Sequence, residues 1–463
     1  MQTCLFYDIE TTGLSKSFDQ VLHFAAIRTD LHLKELDRYE LKIKLNPDVI
    51  PSPYAILTHK IGIQTMLSGV SEWDAIRQIH AWLNTPGTIS LGYNTLGFDD
   101  EFLRFSFYRN LLKPYTHQYA GQCHRMDLYP MAVMFFLFKN EVITWPEKEG
   151  KISLKLEDIN AANQLVSGRS HHAMVDVEVT LELARRFSKE REMWEYLHGY
   201  FKKEIDHARM QPLQNTMALC VNGKFGSKDH FQCPVLLLGN HEHYKNQTIW
   251  LRLDNPELTE LTIETIAEKT WGVNKKPGEP NFMLPCKPRF LSQMDSARIK
   301  QAEKNSEWLK KNPSMLDEIK NYYVHYKYPV FPKTDIDASL YLNGFWSKED
   351  EFFCHRFHAV DNQKKAGLLA GVSNPNLKML ALRVMGRLSP DLLSPADLDS
   401  FADYMRCVNA PDEKDTLIDY QGKKRLTPLA ALREIEQIRS EKALDEADLQ
   451  LLEEYEAYLR ART

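Results

Sequence analysis

The first strand that the sequence predicts carries two carboxylates on one face. Residues 5–9 form a short apolar run, and Asp8 and Glu10 stand two positions apart at its end. Side chains alternate between the two faces of a strand, so both carboxylates project from the same side. Two such charges repel each other unless a cation lies between them, and oxygen ligands suit Mg²⁺ or Mn²⁺. Taken alone, the pattern is more often a strand end with two solvated acids.

The chain divides into three regions by its pattern of strands and helices. Residues 1–190 alternate strands and helices, which indicates an α/β layer domain. One predicted helix, residues 72–83, is amphipathic, with Trp73, Ile76, Ile79 and Leu83 on one face. Residues 191–325 contain short apolar runs separated by Gly and Asn turns, which is typical of a small β-rich domain. Residues 326–463 are dominated by amphipathic helical patterns. At about 150 residues per domain, the length of 463 residues also suggests three domains.

Two further segments place an acid at the start of a predicted helix. Asp99 and Asp100 follow a strand that ends near Tyr93. Either acid could be a metal ligand, but not both, and a helix cap is the alternative role. Asp176 opens a later helix that His171 and His172 precede. Five residues at 100° each would put His171 about 140° away from Asp176 around that helix, so His171 belongs on the preceding loop.

Composition excludes several classes of protein. The longest apolar run, residues 131–138, is far shorter than the roughly 20 residues of a membrane span, and the start lacks a secretory signal. Seven scattered cysteines without metal-site spacing are typical of free thiols in a reducing cytoplasm. The net charge of −5 describes the bulk of the chain and does not exclude a nucleic-acid partner, because one groove can differ from the average.

The acids and the histidine together form a specific constellation. The patterns are D-x-E at Asp8 and Glu10, N-x3-F-D ending at Asp99, and H-x4-D from His171 to Asp176. In this order they resemble the DEDD exonuclease superfamily in its histidine branch, a fold shared with ribonuclease H. The motif spacing favours Asp99 over Asp100 and His171 over His172.

The likeness extends nearly end to end and is closer to one family, bacterial exonuclease I. The segments that carry it are residues 24–30, 91–94, 98–101, 107–110, 144–147 and 341–345. The resemblance implies an α/β ribonuclease H-like exonuclease domain (1–190), a small SH3-like β-rich domain (191–325) and an α-helical C-terminal domain (326–463). In the family these parts close around the strand as a clamp, which would explain processivity. His172 departs from the pattern, because the relatives carry an acid there.

The chemistry that the resemblance implies is hydrolysis assisted by two metal ions. Asp8, Glu10, Asp99 and Asp176 would hold two Mg²⁺ ions, for which Mn²⁺ would substitute, and His171 would be the general base that activates water. Attack on the terminal phosphodiester would release nucleoside 5′-monophosphates from the 3′ end of single-stranded DNA, in repair or recombination.

Substrate contacts are also expected, because a single strand needs cations for its phosphates and aromatic faces for its bases. Glu10, Thr11 and Lys155 are expected to meet the 3′-terminal nucleotide. Arg104 would reach a phosphate, and Tyr115 and Tyr119 would stack on bases; solvated or packing roles are the alternatives for all these side chains. For Arg125, a phosphate contact and an intramolecular ion pair are equally open.

The segment 275–311 carries nine basic and four acidic residues. It is interpreted as a solvated helix face, as part of the DNA track, or as a pocket for the acidic C-terminal tail of single-stranded-DNA-binding protein. That partner is expected from the family resemblance, as are a monomer, a bacterial cytoplasmic location and no membrane partner.

Two rival functions remain open on sequence grounds. One is a 3′→5′ exoribonuclease of the same superfamily, although the two additional C-terminal regions argue against the small RNA-trimming relatives. The other is a non-catalytic nuclease-like binding module, against which the retention of all four acids and the histidine argues.

Overall fold

The structure, a computed structural model, describes residues 2–168, 172–412 and 414–462. Within these ranges no helix is both long and apolar enough to cross a membrane.

The N-terminal region is built on a mixed five-stranded sheet in the order β3-β2-β1-β4-β5. Its strands are β1 (Thr3–Thr11), β2 (Val21–Thr29), β3 (Glu35–Lys42), β4 (Thr88–Leu91) and β5 (His124–Arg125).

Strand direction defines the type of sheet. Strands β1, β2 and β3 run antiparallel, whereas β4 and β5 run parallel to β1. A small hairpin and seven α-helices complete the described part of this region, and the predicted ribonuclease H-like α/β fold is confirmed. The elements are α1 (Pro53–His59), α2 (Ile63–Met66), α3 (Glu72–Leu83), α4 (Asp99–Arg109), α5 (Leu128–Phe138), β6 (Glu147–Lys148), β7 (Lys151–Ile152), α6 (Leu156–Asn163) and α7 (Ala173–Phe187).

Helix α3 shows how the local sequence specifies an element. Ser71 caps its N-terminus by accepting a hydrogen bond of 3.2 Å from the amide of Asp74. The apolar face predicted from the sequence, from Trp73 to Leu83, is buried against the sheet and against the C-terminal region.

The middle region is a five-stranded antiparallel sheet flanked by helices. The strand order is β11-β10-β9-β8-β12, which agrees with the expected small β-rich domain. The elements are α8 (Arg191–His198), α9 (Lys203–Met210), β8 (Ala218–Val221), β9 (Gln232–Asn240), β10 (Thr248–Arg252), α10 (Ile266–Lys269), β11 (Gly272–Lys275), β12 (Phe282–Pro285), α11 (Pro288–Leu291), α12 (Ser296–Lys311) and α13 (Pro313–Val324).

The segment 275–311 does not present a uniform basic surface. Lys275 is fully buried and pairs with Asp206, and Arg298 pairs with Asp254 at 2.5 Å. These two cations are engaged within the protein because burial of a charge requires a partner. The interpretation of the whole segment as a solvated face or a DNA track is therefore wrong for these positions.

The C-terminal region is helical, as predicted, and shares an apolar core with the N-terminal region. Leu45, Val49 and Ile56 pack in one cluster with Leu380 and Tyr455. This shared core fixes the C-terminal helices relative to the sheet that carries the acids. The helices are α14 (Lys348–Ala359), α15 (Asn362–Leu368), α16 (Pro375–Leu388), α17 (Pro395–Val408), α18 (Pro428–Glu441) and α19 (Glu446–Arg460).

Buried charges cross the same boundary. Arg387 on α16 donates from Nη2 to Asp48 at 2.8 Å and to Asp337 at 2.6 Å. The hydroxyl of Tyr404 also donates to Asp48, at 2.6 Å. Asp48 belongs to the N-terminal region, so this network connects the two regions by charge as well as by apolar contact.

Candidate active site

Three carboxylates from two elements meet at the end of β1. Asp8 and Glu10 project from one face of β1, as the strand period predicts, and Asp176 lies in the first turns of α7, which packs on β1 and β2. One oxygen from each of the three carboxylates lies within 4.8 Å of the others. The pattern D-x-E and the helix acid are therefore brought together as the sequence predicts.

The fourth acid comes from the start of α4. The Oδ1 of Asp99 accepts a hydrogen bond of 3.2 Å from the main-chain amide of Ile9, which lies between Asp8 and Glu10 in β1. Asp99 is only 4% exposed. This contact fixes Asp99 against the strand that carries the other acids.

The electrostatics of the group favour bound cations. Burial raises the pKa of Asp8 well above its usual value, and the charges of Asp99, Asp176 and Glu10 raise it further. Burial likewise raises the pKa of Asp99. Burial and mutual repulsion thus disfavour the ionised forms of Asp8 and Asp99, and added positive charge would offset that cost. An all-oxygen donor set of this kind fits Mg²⁺ or Mn²⁺, so the residues present fit the expected metal.

Asp100 faces away from the group that Asp99 joins. Its carboxylate pairs with Arg125 at 2.6 Å, with Arg104 at 2.8 Å and with His117 at 2.8 Å. Burial alone would raise the pKa of Asp100, but the two guanidinium groups outweigh it and hold the pKa far below its usual value. The geometry thus separates the two neighbouring acids as the motif spacing indicates.

The two arginines that pair with Asp100, Arg104 and Arg125, are also the two that the sequence suggested as phosphate contacts. Arg104 also pairs with Glu101 and lies over the ring of Tyr115 at 5.5 Å, and its side chain is 11% exposed. Arg125 pairs with Asp100 and with Glu279, so the alternative of an intramolecular ion pair is the one that the structure shows. For Arg104 a phosphate contact stays a prediction.

A cleft runs past the acids in two adjoining parts. The larger, of about 650 Å³, is lined by all four acids and by Thr11, whose hydroxyl donates to Gly13 at 2.8 Å. The other, of about 630 Å³, is lined by Asp8, Asp176 and the exposed Lys155. Thr11 and Lys155 therefore both line the cleft beside the acids, and their contacts with a terminal nucleotide stay a prediction.

Gly13, which lines this part of the cleft, lies in close contact with the side chain of Asp19. A Cβ atom at Gly13 would meet the carboxylate of Asp19 at 2.5–2.9 Å. Asp19 in turn accepts hydrogen bonds of 2.7 Å from the Thr12 hydroxyl and from the Ser15 amide. The absence of a side chain at Gly13 thus lets the loop after β1 close on Asp19.

Tyr115 and Tyr119 lie apart from the acids, in a crevice of about 250 Å³. Its opposite wall is formed by residues of the C-terminal region, including Phe345. Tyr115 meets Phe345 edge to face at 6.1 Å, and Tyr119 and Phe345 are 65% and 89% exposed. Tyr119 and Phe345 thus expose aromatic faces, whereas Tyr115 is half-buried between Arg104 and Phe345, and stacking on bases stays a prediction.

His171, the predicted general base, lies outside the described residues. His172 directly follows it, and α7 begins at the next position, so the chain leads from His171 into the helix that carries Asp176. The predicted placement of His171 on a loop stays a prediction.

Sequence reasoning missed several residues that line the cleft. Lys224 enters from the middle region, where the main chain at Gly223 lies so close to the Tyr129 hydroxyl that a Cβ atom would approach it to 2.0 Å. Glu434 enters from α18. These contacts join segments far apart in the chain, so no local pattern indicated them.

A buried acid that the sequence analysis did not identify, Asp127, fixes the turn that precedes Asp99. Asp127 accepts hydrogen bonds from the amides of Asn94 at 2.8 Å, Leu96 at 3.1 Å and Tyr129 at 2.9 Å. Asn94 has a φ of 65°, a left-handed conformation that an asparagine tolerates better than most residues. Burial raises the pKa of Asp127 to about 7. Asp127 thus holds the turn that leads into Asp99.

Comparison with known proteins gives the same class. A family model described as "Exonuclease" matches residues 5–184, and one described as "Exonuclease I C-terminal domain" matches residues 334–462. A crystal structure of Escherichia coli exonuclease I in complex with a dA16 oligonucleotide is similar over 100% of both chains, with a TM-score of 0.87 and 23% identity. Fold and site together define an exonuclease, a hydrolase with the ribonuclease H fold that depends on divalent metal ions.

Relatives by sequence specify the family. Exodeoxyribonuclease I of Escherichia coli is 28% identical over 437 residues, covering 89% of this chain and 90% of that protein. Exodeoxyribonuclease I of Buchnera aphidicola subsp. Schizaphis graminum is 31% identical over 410 residues, covering 83% and 82%. The chain belongs to the exodeoxyribonuclease I family.

Proposed function

We propose that this exonuclease degrades single-stranded DNA processively from the 3′ end and releases nucleoside 5′-monophosphates. The observation that carries the proposal is the convergence of Asp8, Glu10 and Asp176 in a cleft that Asp99 completes and that all three regions of the chain line. The relatives named above are exodeoxyribonucleases, and one of their structures holds an oligonucleotide of deoxyadenosine.

We propose that Asp8, Glu10, Asp99 and Asp176 hold two Mg²⁺ ions. Bound there, the ions supply charge that lowers the pKa of water and offsets negative charge on the phosphate and the departing 3′ oxygen. The raised pKa of Asp8 supports this assignment, since a nearby cation relieves the repulsion among the carboxylates. Mn²⁺ has similar ligand preferences and is expected to substitute.

The chain's own residues would position the substrate and move the proton. His171 accepts the proton of the attacking water, as its near-neutral pKa in peptides allows. Lys155, exposed on the cleft wall, offsets a phosphate charge near the terminal nucleotide, and the main chain around Glu10 and Thr11 bounds the site on the other side. A His171→Ala variant should bind metal and DNA but hydrolyse slowly.

Single-stranded DNA fits the surroundings of the site better than a duplex. The cleft is walled by Lys224 of the middle region and by Glu434 of the C-terminal region, so the strand is bounded from several sides. Farther along, Tyr115 and Tyr119 offer faces for unpaired bases, and Arg104 lies beside Tyr115. Enclosure of this kind keeps the strand bound between successive cleavages and underlies the proposed processivity.

The cellular role follows from the family. We propose action as a monomer in the bacterial cytoplasm, in DNA repair or recombination, with the C-terminal tail of single-stranded-DNA-binding protein as a partner. The second candidate is a 3′→5′ exoribonuclease of the same superfamily, which would use the same hydrolytic chemistry on RNA instead of DNA. Membership of the exodeoxyribonuclease I family and the two additional regions favour DNA. A purely binding role is set aside, since the protein is an exonuclease.

Product analysis tests the proposal. Single-stranded DNA and RNA oligonucleotides of the same sequence, labelled at the 5′ or the 3′ end, are incubated with the protein in Mg²⁺ or in EDTA. We expect 3′-labelled DNA to yield mononucleotide at once and 5′-labelled DNA to shorten progressively, only with Mg²⁺. Faster loss of RNA would establish the exoribonuclease, and product in EDTA would contradict the metal assignment.

A further inference from the structure

A second group of metal-binding side chains lies beside the four acids. His23 on β2, Glu40 on β3 and His172 before α7 each offer one ligand atom, and the three atoms lie within 4.8 Å of one another. Nε2 of His23 is 2.9 Å from Oε1 of Glu40. The imidazole rings of His23 and His172 meet edge to face, with centroids 5.1 Å apart. We propose that His23, Glu40 and His172 bind one transition-metal ion of the Zn²⁺ class, separate from the catalytic cations.

The donor atoms distinguish this group from the catalytic one. Two imidazoles and a carboxylate are ligands that Zn²⁺ takes in proteins, usually with a fourth position filled by water. Magnesium prefers carboxylate oxygens and keeps its own waters. One face of the sheet thus offers an oxygen-only group and, next to it, a group with two nitrogen donors, which select different metals by ligand type.

The distances suit such an ion with small adjustments. Zinc bonds of about 2.0–2.2 Å in a tetrahedral arrangement put neighbouring ligand atoms about 3.4 Å apart. The observed 2.9 Å between His23 and Glu40, and the limit of 4.8 Å for the whole group, bracket that value. His23 is 3% exposed, whereas the side chain of Glu40 is 41% exposed, so one ligand is rigidly held and another can move to close on an ion.

An independent observation concerns His172. Its Nδ1 is buried and has no hydrogen-bond partner among the described residues, and its side chain does not cap α7. Buried polar atoms are rarely left without a partner, and a metal ion is a partner that a neutral imidazole nitrogen accepts. His172 is therefore held beside two potential ligands, with a nitrogen for which the described part of the protein offers no other use.

Room and charge around the group also fit. A cavity of about 180 Å³ adjoins it and is lined by His23 and His172, and also by Glu10, Lys42, His59 and Lys60, of which Lys60 pairs with Asp448. Lys42 is an exposed positive charge that opposes a cation, and the carboxylate of Glu40 offsets it. The cavity gives an entry path and space for a water molecule in the remaining coordination position.

Such an ion would tether the start of α7 to β2 and β3. Helix α7 carries Asp176, and His172 directly follows His171 in the chain. The metal would act as a positioning element for these two residues. This consequence for catalysis rests on the proposed function, whereas the binding itself does not.

The test measures binding without DNA. In an Asp8→Asn/Asp176→Asn background, which weakens the catalytic metal group, the protein is stripped with EDTA and titrated with Co²⁺. We expect one equivalent of bound cobalt with the visible absorption of a low-coordinate nitrogen–oxygen site, displaced by one equivalent of Zn²⁺. His172→Ala and Glu40→Gln should each weaken binding by about 10- to 100-fold.

The matched control is His32→Ala, which removes an exposed histidine from the turn of the same hairpin and should leave cobalt binding unchanged. Thermal unfolding in EDTA checks that each variant folds; Glu40 is exposed, so Glu40→Gln keeps the test valid if His172→Ala unfolds. Absence of bound cobalt in the parent, or cobalt binding as tight in both ligand variants as in the parent, would overturn the site and leave the exonuclease assignment untouched.

Discussion

The main-chain amide of Ile9 donates a hydrogen bond of 3.2 Å to Asp99, whereas the adjacent Asp100 pairs with two arginines on the other side of α4. Two neighbouring acids thus have opposite environments. Asp99→Asn should lower the rate of hydrolysis by at least about 100-fold and leave folding intact. Asp100→Asn should instead destabilise the protein by about 3–5 kcal/mol, because it removes the buried carboxylate that Arg104, Arg125 and His117 share.

Urea unfolding and initial rates on labelled single-stranded DNA measure the two effects. Each variant is the control for the other, since the change in side-chain volume is the same. If Asp99→Asn lost stability and kept activity, the assignment of the two acids would be reversed.

Asp8 is expected to lower the stability of the metal-free protein and to be required for exonuclease activity. Its ionised form is disfavoured by burial and by the charges of Asp99 and Asp176, so Asp8→Asn removes an unfavourable interaction in the metal-free protein. We expect a higher melting temperature in EDTA, with a gain of about 1–2 kcal/mol, and loss of nearly all exonuclease activity with Mg²⁺. Differential scanning calorimetry with and without Mg²⁺ separates the two, since Mg²⁺ should stabilise only the parent. Undiminished cleavage by Asp8→Asn would remove Asp8 from the metal site.

Acid should weaken the contact between the N-terminal and C-terminal regions. Burial alone would raise the pKa of Asp337, but Arg383 and Arg387 outweigh it and lower the pKa to about 2. Arg387 and Arg425 lower the pKa of Asp48 in the same way. Because both folded-state values lie below the unfolded ones, the stabilisation is fully present above about pH 4–5 and is lost as the pH falls toward 2.

The urea midpoint of the parent should therefore fall steeply between about pH 4 and pH 2. Asp337→Asn should have a lower midpoint at neutral pH and a shallower dependence in that window, because its contribution no longer titrates. Asp391→Asn, at an exposed acid in the same region, should follow the parent. A slope for Asp337→Asn as steep as the parent's would contradict the role of this carboxylate.

Lys155 should contribute to affinity through charge. Its side chain is 74% exposed on the cleft that Asp8 and Asp176 line. In Lys155→Gln we expect a higher KM for single-stranded DNA, and a slope of log affinity against log salt that is less steep by about 0.7, the value for one phosphate contact on a single strand. Lys151→Gln, at an exposed lysine of the nearby hairpin, serves as the control. Equal salt slopes for parent and Lys155→Gln would place this lysine outside the DNA path.

The aromatic crevice should bind bases at a distance from the catalytic acids. Tyr119→Ala and Phe345→Ala should each cost about 1–3 kcal/mol in binding to long oligonucleotides, the usual contribution of one stacked base. Short oligonucleotides that do not reach the crevice should bind as they do to the parent. Phe352→Ala, at an exposed aromatic on α14, is the control. The prediction fails if the loss is the same for every oligonucleotide length.

The features that the sequence predicted correctly are those that depend on short local patterns. The strand period placed Asp8 and Glu10 on one face, and helical periodicity identified the buried face of α3. Motif spacing distinguished Asp99 from Asp100. These features depend on residues within a few positions of one another, where backbone geometry alone decides which side chains share a face.

What the sequence did not predict depends on contacts between distant segments. Strand β5 has only two residues, too few for any pattern, and is identified by its pairing with β4. The basic character of Lys275 suggested a surface residue, but its burial depends on Asp206. The pairing of Arg125 with Glu279, and the entry of Lys224 into the cleft, likewise follow from how the regions pack together.

Helix α19 also bears on how the chain folds as it is made. Tyr455 in this helix donates a hydrogen bond of 2.5 Å to the carbonyl of Pro51 and is fully buried in the core that Val49 and Ile56 share. These partners are 404 positions apart, an interval that a ribosome needs about 20–80 s to translate. The nuclease sheet therefore emerges well before the helix that completes its surroundings, and a nascent chain exposes that apolar surface until α19 has been made.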